Sequence, residues 1–179
     1  MTADTPITLA PCRYDDHASA ILDIFNDAIA NSTALYEYRP RTMQTMQAWF
    51  EAKRNGDFPV VGAFDADGQL LGFASWGAFR AFPAYKYTVE HSIYVRADQR
   101  GRGLGETLLR ELLRLAEQRG LHVLVGGIDM ANRGSIALHE KLGFVHTGTL
   151  PQVGFKFGRW LDLGFWQKQL ATPVQPVDG

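Results

Sequence analysis

QRGRGLGETLLRELLRLAEQRG, residues Gln99 to Gly120, sets glycines at alternate positions and two arginines directly ahead of a long apolar-periodic run. Glycines so spaced let a backbone turn tightly and aim its N–H groups at one point, and the start of a helix adds the positive end of its dipole. The stretch reads as an anion-holding loop that opens an amphipathic helix from Leu104 to Arg119, closed by Gly120. Before it, TVEHSIYV (Thr88 to Val95) alternates as a strand does, and after it HVLVGGI (His122 to Ile128) reads as another strand. The loop DMANRG, a helix from Ser135 to Leu142 and a strand FVHTGTL follow, so the middle of the chain contains a β-loop-α-β unit of an α/β fold.

The flanks add to this frame. Ile7 to Arg13 reads as a first strand, and Asp15 and Asp16 offer N-caps for an apolar-periodic helix through Ile21, Phe25 and Ile29. Thr42 to Arg54 has helix composition. PVVGAF and LLGFASW, separated by Asp65 to Gly68, give a hairpin signal. After an aromatic loop, Phe79 to Tyr87, and the central unit, RWLDLGFWQKQL alternates as a last strand, and the tail ATPVQPVDG is expected to be disordered.

With 179 residues, 46% of them hydrophobic, the chain supports one domain, placed at residues 1–170, with the tail at 171–179. A formal net charge of −1 gives no basic field for nucleic acid. No apolar run is long enough to cross a bilayer. A single cysteine, Cys12, allows neither a disulfide framework nor a cysteine-cluster metal site and suits a reducing compartment. The expectation is a cytoplasmic protein with no metal, no nucleic acid and no membrane among its partners.

Two familiar phosphate loops fail on spacing. Counting from Gly101, the sixth position of a dinucleotide fingerprint is Glu106 instead of glycine, and Gly105 is followed by Glu106-Thr107 where a P-loop needs Lys and a hydroxyl. What remains, Arg100, Gly103 and Gly105 after a strand and before a helix, resembles the pyrophosphate loop Gln/Arg-x-x-Gly-x-Gly/Ala of the GNAT superfamily of N-acetyltransferases. The segment N-x-x-S-x-x-L-x-x-x-L-G-F from Asn132 to Phe144 resembles the same superfamily. TVEHSIYV, ALHEKLGF and PQVGFKFGRWLDLGFWQ make the chain most similar to the phosphinothricin and methionine-sulfone type of amino-acid N-acetyltransferase, from Ile7 to Leu170.

That resemblance implies a mixed, mostly antiparallel, twisted sheet flanked by helices, with a splayed central parallel pair. It implies acetyl-CoA as co-substrate, its pyrophosphate held by Arg100, Gly101, Arg102, Gly103, Leu104 and Gly105. The main chains of Ile93, Tyr94 and Val95 would pair with the pantetheine arm and stabilise the oxyanion, and Asn132 and Ser135 would contact the coenzyme. Thr107 offers a hydroxyl to the phosphates or merely caps the helix.

An ammonium must lose a proton before it attacks a thioester, and Glu90 is the candidate base, sharing one strand face with Ser92 and Tyr94. His91 points to the other face and reads as structural. His139 stands where many members carry a tyrosine acid; either it acts near the coenzyme sulfur or the thiolate leaves unaided, and a binding or orienting role is preferred. Arg80 is the candidate for an α-carboxylate or phosphinate, with Phe82 and Trp76 walling the pocket and Tyr36 closing its other side.

The function expected is acetyl transfer to the α-amine of a small L-amino acid or analogue by direct attack in a ternary complex. The Lys156 to Trp160 segment resembles the two-fold region of dimeric members, so a homodimer is expected. Two rivals stand beside this reading: a protein or peptide N-acetyltransferase of the same fold, and a non-catalytic acyl-CoA-binding module.

Overall fold

A computed structural model describes residues 6–178, so the first five residues of the expected domain and the last of the expected tail lie outside the described residues. Seven strands form one open sheet in the order β1-β2-β3-β4-β5-β7-β6. They are β1 (Thr8–Pro11), β2 (Val60–Phe64), β3 (Leu70–Ala78), β4 (Thr88–Val95), β5 (Val123–Asp129), β6 (Val145–Lys156) and β7 (Arg159–Gln169). Every neighbouring pair is antiparallel except β4 with β5. Helices α1 (Tyr14–Asn31), α2 (Met43–Asn55), α3 (Leu104–Gln118) and α4 (Arg133–Lys141) complete the fold.

The helices divide between the two faces. Ile21, Phe25 and Met46 of α1 and α2 bury against Phe73, whereas Leu104, Leu108, Leu112 and Ala116 of α3 bury against Leu71, Val89 and Leu124. The α3 residues recur every four positions, one stripe of the helix, and each fully buried leucine contributes about 1.5–3 kcal/mol. Alternation along β4 feeds both cores: Val89, Ile93 and Val95 pack on the α3 side and Tyr94 on the α1 side.

Local chemistry sets the helix ends. At α3, Gly120 takes φ 67°, and the N–H groups of Leu121 and Gly120 reach the carbonyls of Ala116 and Glu117 at 2.9 and 3.0 Å, a Schellman closure. Thr42 and Thr45 form a reciprocal capping box on α2. The helix α1 departs from expectation: its cap is Arg13, whose N–H donates to His17 Nδ1 at 2.9 Å, while Asp15 and Asp16 lie in the first turn and complement the dipole. Residues 171–178 carry no helix or strand, and Val177 N–H donates to the Tyr87 hydroxyl at 3.1 Å.

The feature that positions the site is the parting of β4 from β5. Their register runs only from Thr88↔Val123 to Glu90↔Val125, after which β5 continues alone with β7. Arg96 N–H donates to Leu71 O at 2.9 Å, while Tyr87 O accepts from His122 and Val123 on the β5 side. Alternation then turns the main-chain groups of Ser92 and Tyr94 toward β3 and those of Ile93 and Val95 toward the open gap. Of the three main chains expected at the coenzyme arm, Ile93 and Val95 face the gap, and Tyr94 is committed to β3 opposite Phe73.

Candidate active site

The gap opens at its far end onto the glycine loop. Gly101 and Gly103 both take φ 77°, and a side-chain carbon built on either would meet nothing within 4 Å, so the loop's surface is open. The first bond of α3 is Thr107 N–H to Gly103 O at 3.1 Å, leaving the N–H groups of Leu104, Gly105 and Glu106 without helical acceptors. These donors and the helix dipole suit a phosphate. Arg100 pairs with Asp27 of α1 at 3.5 Å, and Arg102 donates to Gln99. Thr107 turns its hydroxyl back onto Gly103 O at 3.3 Å, the capping alternative. Asn132 caps α4, its side chain accepting from Ser135 N–H at 3.1 Å.

At the near end, β4 and β5 present different chemistry on their two faces. On the α1 face, half-buried Glu90 lies beside Gly127, where a built side-chain carbon would stand 3.0 Å from Glu90 Oε1. Burial raises the Glu90 carboxyl above its ordinary value, and the charge of Arg80 opposes the rise. A cavity of about 290 Å³ adjoins, lined by Phe79, Arg80, Val125, Thr149, Leu150 and Phe165 among others. Val125 is the register partner of Glu90. Arg80 stacks on the Phe79 ring at 4.3 Å and spends one guanidinium N–H on Phe79 O at 2.8 Å.

Several expected residues are placed otherwise. Trp76 is 2% exposed within the α3-side core, on the face away from Glu90, so it does not wall this pocket. Its register partner is His91, and side chains directly opposite in a pair share a face. Phe82 is 74% exposed and does not line the cavity; Phe79 and Phe165 do. On β4, Ser92 shares the Glu90 face by alternation and neighbours Tyr94, whose phenol burial pushes up to about 12.

The segment between α1 and α2 is latched to the far strands. Asp129, at the end of β5, accepts from the Thr33 hydroxyl, from Arg159 at 3.2 Å and from Ala131 N–H at 3.1 Å. Lys156 is buried, donating to Ser32 O at 2.8 Å and Leu35 O at 2.7 Å, and Tyr38 donates to Phe155 O at 2.6 Å. Tyr36 presses its ring on Gly154, where a built side-chain carbon would lie 2.6 Å away. Burial alone would raise the Asp129 carboxyl, but the bonds from Thr33, Ala131 and Arg159 outweigh it and hold it below the usual range.

Asp129→Ala is expected to lower stability by about 2 kcal/mol at pH 7, read as a shift of the urea midpoint, since it strips partners from Thr33 and Arg159. A depressed carboxyl stabilises the fold above its unfolded value and loses that contribution as pH falls through the folded one, so the difference from wild type closes in acid.

On the α3 face lie His91 and His139, 7% and 5% exposed, with their Nε2 atoms 2.8 Å apart over Gly126. His91 is on the face away from Glu90, as alternation implies, yet it is not isolated. Sequence reading missed this pair, the latch on Asp129 and the paired glycines. A Gly-Gly inside a strand was the available signal, for it marks close approach to the backbone, and here Gly126 serves the histidines and Gly127 serves Glu90. Among the described residues, no group of three His, Cys, Asp or Glu is placed to hold a metal, and no helix is long and apolar enough to cross a membrane.

Comparison with known proteins bears on this geometry. The family described as Acetyltransferase (GNAT) matches residues 21–144. The chain is 51% identical, over 84% of its own length and 87% of the relative's, to an L-methionine sulfoximine/L-methionine sulfone acetyltransferase of Pseudomonas paraeruginosa. Among solved structures, an acetyltransferase of Salmonella typhimurium with its cofactor acetyl-CoA superposes with a TM-score of 0.90 at 40% identity, covering 97% of this chain and 99% of that one. A phosphinothricin acetyltransferase of Sinorhizobium meliloti in complex with acetyl-CoA gives 0.90 at 35% identity, over 95% and 92%.

Proposed function

The chain belongs to the GNAT acetyltransferase family and is an acetyl-CoA-dependent N-acetyltransferase, and we propose that its acceptor is the α-amino group of a small free L-amino acid or analogue. Methionine sulfone, methionine sulfoximine and phosphinothricin, the compounds for which its relatives are named, define the class. The observation that carries this reading is half-buried Glu90, whose register partner Val125 lines, with Arg80, a cavity of about 290 Å³. That volume is at the small end for ligand pockets and suits an acceptor of amino-acid size.

Bound acetyl-CoA supplies the acetyl group in activated form, as a thioester. The chain's residues do the rest. The N–H groups at the start of α3 take the pyrophosphate, with Arg100 and Arg102 adding charge nearby, and the main chains of Ile93 and Val95 hold the arm in the gap. Asn132 and Ser135 border it from α4. Glu90 accepts the ammonium proton, directly or through a water, and Arg80 exchanges Phe79 O for the acceptor's carboxylate or phosphinate. Ser92 lies on the Glu90 face and contacts the acceptor. Burial pushes the Cys12 thiol up to about 12, which keeps it protonated and supports direct attack over an acyl-enzyme.

The same reading makes the enzyme a cytoplasmic homodimer. Its lone cysteine suits a reducing compartment. Val145, Val153, Phe155, Phe157 and Trp160 are exposed along β6, the edge strand, and its turn into β7, an apolar surface of the kind that protein interfaces cover. Sedimentation equilibrium is expected to give twice the chain mass, and Trp160→Glu to give the single mass; a monomeric wild type would reject the dimer.

The acceptor is tested by following thiol release from acetyl-CoA over free L-amino acids, methionine sulfone, methionine sulfoximine, phosphinothricin and short peptides. Turnover confined to the small α-amino acids supports the proposal. Activity on peptides alone, or coenzyme binding with no turnover, would overturn it in favour of one or other rival.

A further inference from the structure

The histidine pair has a proton arrangement that its neighbours dictate. His139 Nδ1 lies 2.7 Å from Ser135 O, which can only accept, and 3.5 Å from Ser135 Oγ, which could donate; the much shorter contact sets the proton on Nδ1. Neutral His139 then has a lone pair on Nε2, and what faces it at 2.8 Å is His91 Nε2. A bond there requires the His91 proton on Nε2; buried His91 Nδ1 then makes no hydrogen bond, and the nearby Val125 carbonyl, which favours a proton, opposes this tautomer without forming one. The opposite arrangement sets two lone pairs against each other. A third, with an added proton, would put a cation among Phe144, Gly126 and the α3-side core.

That cation is disfavoured. Burial, then the charge of His139, pushes His91 down to about 3, and the Val125 carbonyl, which favours a proton, is the smaller influence. Burial likewise lowers His139. The charged groups on the surrounding elements are engaged elsewhere. Glu90 is on the other face of β4, Glu140 of α4 accepts from Trp166 Nε1 at 3.4 Å, and Lys141 of α4 pairs with Glu106 of α3. Arg110, Glu111 and Arg114 form ion pairs along α3.

We propose that His91 is a positioning residue for His139, its Nε2–H fixing that ring in one tautomer and one orientation where β4 and β5 part. Both nitrogens of His139 are then occupied, Nδ1 donating to Ser135 O and Nε2 accepting from His91. His139 borders the gap as a neutral, fixed wall and holds no free N–H for a departing thiolate. The unpaired nitrogen is carried by His91, one residue from Glu90 and out of the acceptor cleft. The bearing of this arrangement on acetyl transfer rests on the reading of the gap as the coenzyme's path; the arrangement itself does not.

The test is a long-range 1H–15N spectrum of the full-length, 15N-histidine-labelled protein recorded from about pH 5 to pH 8, where an ordinary histidine titrates. The expected result is His91 protonated at Nε2 and not titrating in this range, with His139 protonated at Nδ1. In His91→Phe, which removes the donor and keeps the ring buried, the His139 Nε2 resonance is expected to move to that of an acceptor nitrogen with no donor. In His91→Gln, whose amide N–H replaces the donor, the His139 Nε2 resonance is expected to stay near its wild-type position. His139 protonated at Nε2 in the wild type, or a His139 Nε2 resonance unmoved in His91→Phe, would overturn the proposal. The expected tautomers in a chain that acetylates no amine would uphold the positioning role and reject the acceptor assignment instead.

Discussion

Glu90→Gln is expected to lower kcat by about 100- to 10,000-fold, the usual worth of a general base, while the Kd for acetyl-CoA stays near the wild-type value. The carboxylate stands on the acceptor side of the sheet beside Gly127, whereas the glycine loop belongs to the start of α3, so removing the charge spares the coenzyme's anchor. The pH dependence follows from the burial that raises this group. A base works only when ionised, so kcat rises with pH through a value above the ordinary carboxylate range, and that limb is absent from the residual activity of the glutamine variant. Stability moves the opposite way. A carboxyl whose folded pKa is raised binds more protons folded than unfolded, and its contribution is lost as pH rises from the unfolded value through the folded one. Glu90→Gln is therefore expected to raise Tm at neutral pH while it disables turnover. A variant with wild-type kcat at neutral pH would remove Glu90 from the chemistry.

Gly103→Asp is expected to raise the KM for acetyl-CoA about 100-fold, with the far-UV spectrum of the wild type and a Tm lowered no more than in Gly103→Asn. Gly103 takes φ 77° and caps α3 without a side chain, and the space beside it is open. Aspartate and asparagine are among the few residues that enter the left-handed conformation, at a cost in strain that the two variants share. What changes is a carboxylate where the pyrophosphate seats. Two like charges about 4 Å apart near a protein surface repel by up to about 4 kcal/mol, enough to sustain such a loss. Gly103→Asn, which has the same shape without the charge, is the control and should lose far less. Equal losses in the two variants would mean that backbone shape, and not the anion, is what the loop protects.

The frame of the molecule was legible because its signals are local. Alternation marked β4, an apolar run after the helix marked β5, the Asp65 to Gly68 turn marked the hairpin, and Gly120 closed α3 where the left-handed residue stands. The parallel pair and mixed sheet came from the resemblance carried by the glycine loop and the Asn132 to Phe144 segment, and the sheet has that topology. Failures came where a residue's fate depends on register. Trp76 was assigned to the acceptor pocket, but β3 sets it opposite His91, on the α3 face, and nothing local in LLGFASW tells which face is which. The strand β6 runs on to Lys156 instead of ending near Leu150, because Gln152 at φ 55° lets a bulge absorb extra residues before pairing resumes at Gly154. The meeting of His91 with His139, and of Thr33 with Asp129, spans 48 and 96 residues of sequence, a distance over which no periodicity speaks.

The central claim, that the Glu90 cleft delivers acetyl to the free α-amine of a small amino acid, is tested most directly by competition. Acetyl-CoA is supplied with an equimolar mixture of L-methionine sulfone and a dipeptide bearing a free N-terminus, and the products are resolved by mass spectrometry. N-acetyl-methionine sulfone as the dominant product, lost in Glu90→Gln, is the expected result. Acetyl found on the dipeptide, or no acetylated product despite bound coenzyme, would contradict it.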